Sequence, residues 1–179
     1  MAHSLLSLNG SLRKASLNGM LLREAGRLFG GTHIEGNLRL PLYDGDLEAE
    51  GIPAEVQALA DQIAAADAII IATPEYNKSL SGVLKNALDW VSRVKGNPWR
   101  DKPVAIVSAT AGRTGGEAAQ FALRLAMLSF RPRLIAGPAV LIAGGADQFD
   151  AEGRLTNARY AASLEELVQA LHAEVARAA

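Results

Sequence analysis

At 179 residues the chain is the size of one domain, and without cysteine it has no disulfides, thiolate catalysis or cysteine-ligated metal clusters. Eighteen basic and nineteen acidic side chains give a formal charge of −1. That excludes the basic excess by which nucleic-acid binders neutralise phosphates, and it lacks the acidic field of a carrier that docks to large redox partners.

The opening residues carry no basic lead, and no apolar run is long enough to span a bilayer. The expectation is a cytoplasmic protein with no membrane or nucleic-acid partner, folded as one domain over residues 1–179. Hydrophobic residues at 49% supply a core that buries roughly 70% of the unfolded surface.

In chain order, Ser4–Leu8 is a short apolar run closed by Asn9-Gly10, predicted as the first strand. A helix is predicted from Asn18 to Phe29, stopped by Gly30-Gly31, with a second strand over Thr32–Gly36. A long connection containing Leu40-Pro-Leu-Tyr-Asp-Gly-Asp46 follows. Pro53 suits the first turn of the next helix, which turns Val56, Leu59, Ala60 and Ile63 inward.

Asp67–Ala72 is a continuous β-branched run, suited to a central parallel strand covered on both faces. A loop to Ser81 leads to a helix over Gly82–Val94. Pro103–Ala109 is predicted as the fourth strand, followed by a glycine-rich loop over Thr110–Gly116 and a helix to Phe130. Ala139–Ile142 is the fifth strand, and Leu164, Leu167, Val168, Leu171 and Val175 form the inner stripe of a last helix. Five alternations of strand and helix predict a doubly wound α/β sheet. Such sheets take ligands outside the carboxyl ends of their strands, where strand order reverses.

Three segments fall there. The first, Asn9 to Asn18, lacks the glycine pattern of a Walker loop or dinucleotide fingerprint. It does offer hydroxyls (Ser11, Ser16), a guanidinium (Arg13), an amide (Asn18) and the free N–H groups of a helix start, donors that suit a phosphate monoester. A capped helix with a solvated arginine is the plainer reading. The second, Thr73 to Gly82, restricts its backbone at Pro74. It carries Tyr76 as a flat face and Asn77 as an amide for ring edges, although ordinary turn chemistry favours the same residues. The third, Ser108 to Gly116, is small and polar, suited to close backbone approach or to a plain turn.

The histidines (His3, His33, His172) show no metal-ligand spacing, and no nucleophile–base pair stands out. Donors without an acid–base pair point to chemistry borne by a cofactor.

Three blocks, Gly10 to Asn18, Leu40 to Asp46 and Pro74 to Trp90, resemble the NAD(P)H-dependent FMN reductase family in order and spacing, with weaker similarity from residue 4 to about 170. The family includes bacterial chromate and quinone reductases. The resemblance implies a flavodoxin-like three-layer α/β/α sandwich with a five-stranded parallel sheet in the order 2-1-3-4-5. It implies FMN as cofactor and NADPH or NADH as co-substrate, with hydride passing from nicotinamide to flavin and on to quinones, chromate, azo compounds or free flavin.

On the same resemblance, Ser11, Arg13, Ser16 and Asn18 are the expected phosphate site. Pro74, Glu75, Tyr76 and Asn77 are the expected wall and edge contacts of the isoalloxazine, and Thr110 and Gly112 close the other side. No catalytic side chain is expected, since the flavin carries the chemistry. Where relatives often place an arginine after the paired glycines, this chain has Glu117-Ala118.

The helix before Phe130 carries two apolar stripes. Phe121, Leu125 and Leu128 form one; Leu123, Met127 and Phe130 lie on nearly the opposite side. One can face the sheet while the other meets a second subunit or the last helix. With the family resemblance, a homodimer or dimer of dimers is expected. A flavodoxin-type electron carrier and a non-catalytic flavin-binding regulatory module are the alternative functions.

Overall fold

The computed structural model describes residues 3–178. Six parallel strands, β1 (Ser4–Asn9), β2 (Thr32–Gly36), β3 (Ala68–Ala72), β4 (Pro103–Ala109), β5 (Arg133–Leu134) and β6 (Val140–Ile142), form one sheet in the order β2-β1-β3-β4-β5, with β6 also on β4. The helices are α1 (Leu17–Phe29), α2 (Gly45–Glu50), α3 (Ala54–Ala65), α4 (Gly82–Val91), α5 (Glu117–Met127) and α6 (Ala158–Ala178). This is the flavodoxin-like arrangement that the resemblance implies.

Strand alternation sorts the core into two halves. Leu5, Ile70, Ala105 and Val107 pack with α1 and α6 on one face. Leu6, Leu8, Ile69, Ile71 and Ile106 pack with α3, α4 and α5 on the other. All of β3 and β4 is buried, as their unbroken apolar sequences require.

Two differences from the sequence reading have local causes. The fifth strand position is filled by two short strands instead of one. Between Val104↔Leu134 and Val107↔Val140, two residues of β4 face five on the edge, residues 135–139. Pro138 has no N–H to give to the sheet, so the edge chain leaves the ladder there and rejoins it. The connection after β2 contains a short helix, α2. Asp44 starts it by accepting the Asp46 N–H at 2.9 Å, and Asp46 and Glu48 favour its first turn.

The segment around Pro41 is strapped onto α4. Pro41 O accepts from Asn86 Nδ2 at 2.9 Å and from Trp90 Nε1 at 2.8 Å, and Asn86 Oδ1 accepts the Tyr43 N–H at 2.8 Å. Trp90 is thus fully buried with its one polar atom satisfied. No described helix is long and apolar enough to cross a membrane.

Candidate functional site

The carboxyl ends of β1, β3 and β4 stand side by side, so the loops that follow them converge. Asn9 organises the first. Its Oδ1 accepts the Ser11 N–H at 3.0 Å and the Ser16 hydroxyl at 3.4 Å, folding residues 9–16 into a compact turn. Gly10 lets that turn approach β3. A Cβ there would lie 3.0 Å from Ser81 Oγ and 3.1 Å from Ala72 O.

Ser16 caps α1 by accepting the Gly19 N–H at 3.1 Å, worth roughly 1 kcal/mol. Among the described residues, the N–H groups of Leu17 and Asn18 meet no acceptor, and the Arg13 guanidinium meets no partner. An array of unpaired donors at a helix start favours an anion.

Asn18 is held differently from its neighbours. Its amide is buried and pairs with both backbone groups of Ala109, donating to Ala109 O at 3.0 Å and accepting from Ala109 N at 2.9 Å. One amide N–H remains for a ligand.

After β3, Tyr76 and Ser79 exchange backbone hydrogen bonds of 3.1 and 3.0 Å around a two-residue turn. Asn77 and Lys78 sit at φ 50° and 64°, the pattern of a type I′ turn, which asparagine tolerates well. The Tyr76 ring is 55% exposed, so it is not core packing. Glu75 turns the other way. Its carboxylate accepts the Ala119 N–H at 3.3 Å and lies 3.7 Å from Lys78 Nζ. Because Gly116 at the α5 N-cap has no side chain, Glu75 supplies the cap from a neighbouring loop.

After β4, a buried network shapes the last loop. Ser108 Oγ donates to Gly115 O at 2.6 Å, and Gln120 Nε2 donates to Ser108 Oγ and Val140 O, both at 2.9 Å. Gly115 has φ 65°, and a Cβ on it would lie 2.5 Å from the Leu141 carbonyl carbon. Only glycine fits there.

These loops enclose a cleft of about 230 Å³. Ser11, Arg13, Ser16, Asn18, Pro74, Glu75, Tyr76 and Thr110 line it together. Asn77 and Gly112 stand outside that lining. Leu17, Ala109 and Ala111 join it, unmarked in the sequence because they act through backbone and position. The volume is below the roughly 300–1,000 Å³ of typical ligand sites. A cavity of about 400 Å³ lies at the opposite, amino edge among Asp67, Arg100, Lys102 and Arg133. Much of its charge is already satisfied, as Lys102 donates to Ala64 O and Ala66 O at 2.6 and 2.8 Å.

A family model for NADPH-dependent FMN reductases matches residues 4–147. An NAD(P)H-dependent FMN reductase of Pseudomonas aeruginosa is 42% identical over 175 residues, covering 96% of this chain and 95% of its own. A quinone reductase of Escherichia coli K12 is 42% identical over 143 residues, covering 74% and 76%. In structure, the flavoenzyme NAD(P)H:(acceptor) oxidoreductase FerB of Paracoccus denitrificans superposes with a TM-score of 0.89 at 33% identity, covering 98% of each chain. A donor-rich cleft at the reversal of strand order, together with this similarity along nearly the whole chain, establishes that the protein belongs to the NADPH-dependent FMN reductase family.

Proposed function

We propose that the chain works as an FMN-dependent oxidoreductase through the cleft at the carboxyl edge, taking electrons from NADH or NADPH and giving them to small acceptors such as quinones. The observation that carries this reading is the convergence of unpaired phosphate donors and an exposed tyrosine face in one cleft.

The donor set fits the group. Ser11, Arg13 and the N–H groups of Leu17 and Asn18 are assigned to the phosphate; the Ser16 hydroxyl, which donates to Asn9 Oδ1 at 3.4 Å, joins them by turning from that long bond. The helix start contributes about 0.3–1 kcal/mol, and each charge-assisted hydrogen bond roughly 1.5–3 kcal/mol. Arg13 therefore dominates retention. Ala119 and Lys78 compensate the Glu75 carboxylate, which lowers its repulsion of an anion in the same cleft.

Bound FMN supplies the redox chemistry that links nicotinamide to acceptor. Pro74, Tyr76 and the backbone of Glu75 would form the wall that orients the ring and Thr110 would close the other side, with Asn77 and Gly112, next to this lining in sequence, assigned to its edge. Among the described residues the N–H groups of Asn77, Ala111 and Gly112 meet no acceptor, so they would be available to negative charge at a ring edge. With the ring held against Pro74 and Tyr76, the cleft would take donor and acceptor in turn and hold each in contact with it.

Near-neutral charge favours an enzyme of small substrates over a carrier that docks to proteins. Phe121, Leu125 and Leu128 are 65%, 71% and 65% exposed, while Leu123 and Met127 are fully buried. Since α6 packs on the other face of the sheet, the exposed stripe supports a homodimer or dimer of dimers. Cytoplasmic residence is the accompanying proposal, supported by the cysteine-free composition.

The test is purification followed by turnover. The protein is expected to emerge yellow with FMN and to oxidise NADH or NADPH rapidly when a quinone is added. A colourless protein that takes up no FMN in calorimetry overturns the reading, and flavin binding without turnover moves it to a carrier or regulatory module.

A further inference from the structure

A second cavity, of about 440 Å³, lies behind the loop that closes the cleft. Thr110 and Ala111 line the cleft, whereas Arg113 and Thr114, from the same loop, line this cavity. Arg159 and Tyr160 enter from the first turn of α6. Among the described residues no aspartate or glutamate lines it.

Both arginines lack a partner. Elsewhere Arg93, Arg133 and Arg177 each meet a carboxylate. Among the described residues neither Arg113 nor Arg159 has an ion pair or a side-chain hydrogen bond, although both turn toward one cavity. Two cations converging without a counter-charge repel each other, and an anion between them removes the repulsion. Tyr160 Oη accepts the Ala143 N–H at 3.3 Å, so its own proton remains to donate, and the Thr114 hydroxyl is unengaged. Asn157 is occupied, capping α6 through Oδ1 and donating to Gln148 Oε1 at 2.9 Å.

We propose that this cavity is a phosphate-monoester site that selects NADPH over NADH by holding its 2′-phosphate between Arg113 and Arg159. The proposal rests on the nicotinamide-oxidising reading of the cleft. Two guanidinium forks match a dianionic monoester, which offers three oxygens to planar, bidentate donors. The volume is in the range of ligand sites. One loop spans both sites. Gly145 N donates to Thr110 O at 2.8 Å and Gly144 N to Gly112 O at 3.3 Å, so Arg113 is held just beyond the ring pocket. A nucleotide with its nicotinamide in the cleft has its adenosine half left to place, and residues 110–114 carry the chain from the cleft to this cavity.

The experiment compares the FMN-loaded protein with Arg113→Ala and Arg159→Ala, both at exposed positions that folding does not depend on. Calorimetry with 2′,5′-ADP, 5′-AMP and inorganic phosphate is run beside steady-state kinetics with NADPH and NADH. The expected result is that 2′,5′-ADP binds about 10-fold or more tightly than 5′-AMP and loses roughly that factor in either variant. In parallel, kcat/KM for NADPH falls by a similar factor while NADH changes by less than about twofold.

Equal falls for both nucleotides would assign the arginines to the pyrophosphate and overturn the proposal. Equal affinity for 2′,5′-ADP and 5′-AMP, or inorganic phosphate binding as tightly as 2′,5′-ADP, also overturns it. A protein that takes up no FMN defeats the reading of the cleft instead, and calorimetry tells the two failures apart because it needs no turnover.

Discussion

Asn18 and Ala109 are 91 residues apart, yet the asparagine amide pairs with both backbone groups of the alanine, at 2.9 and 3.0 Å. The contact ties the start of α1 to the last residue of β4 and so fixes the spacing between the first and third loops of the cleft. Substitution Asn18→Ala strands a buried N–H and a buried C=O. It is expected to lower stability by about 2–4 kcal/mol and to weaken FMN binding as the loops separate. Urea unfolding monitored by circular dichroism, with FMN titration of the folded fraction, checks both effects. A variant as stable as the parent would mean that the clamp is replaced by solvent.

Among the described residues, Arg13 carries the only guanidinium lining the cleft. Arg13→Ala is expected to weaken FMN binding by roughly 10-fold or more, from the loss of charge-assisted bonds. Turnover at saturating FMN should change little, because the arginine is assigned to the phosphate end and not the reacting end. Fluorescence titration of flavin and kcat at excess FMN separate the two. Unaltered affinity would remove Arg13 from the phosphate site.

Asp67 gives the fold an acid-sensitive joint at the opposite edge of the sheet. Its carboxylate accepts the Ser4 N–H at 2.7 Å and the Ser4 hydroxyl at 2.9 Å, and the backbone bond above all holds its pKa below the ordinary aspartate value. A depressed carboxylate stabilises the folded state above the unfolded value, near pH 4, and that contribution is lost as pH falls through the folded value. The side chain is 45% exposed, so solvent screening keeps the effect modest. Stability of the Asp67→Asn variant should therefore fall less steeply than the parent's below about pH 4. Parallel curves from urea melts at pH 2–6 would contradict this.

Leu125 is the most exposed residue of the uncovered α5 stripe. Leu125→Lys places a charge in the proposed subunit interface while leaving the buried Leu123 and Met127 face intact. The expected outcome is a shift from dimer or tetramer to monomer in light scattering, with the circular dichroism spectrum unchanged. A parent protein that is already monomeric at all concentrations would refute the interface.

Much of this protein could be read without coordinates. The buried run of β3 and the two faces of α5 follow from local periodicity, which depends on neighbours a few residues away, while the Ser16 cap, one residue before the predicted helix start, emerged with the fold. The three loops could be placed at one edge because parallel α/β topology allows few alternatives.

Tertiary structure decided the partners. Nothing near Asn18 announces Ala109, and nothing near Glu75 announces the uncapped α5 beside it. The split edge strand required knowing which residues of β4 it faces, and the cavity shared by Arg113 and Arg159 joins side chains from two distant elements. Hydrogen bonds and charge pairs act over a few ångströms of space whatever the chain distance, so local sequence names the chemical groups while the packed fold determines which of them meet.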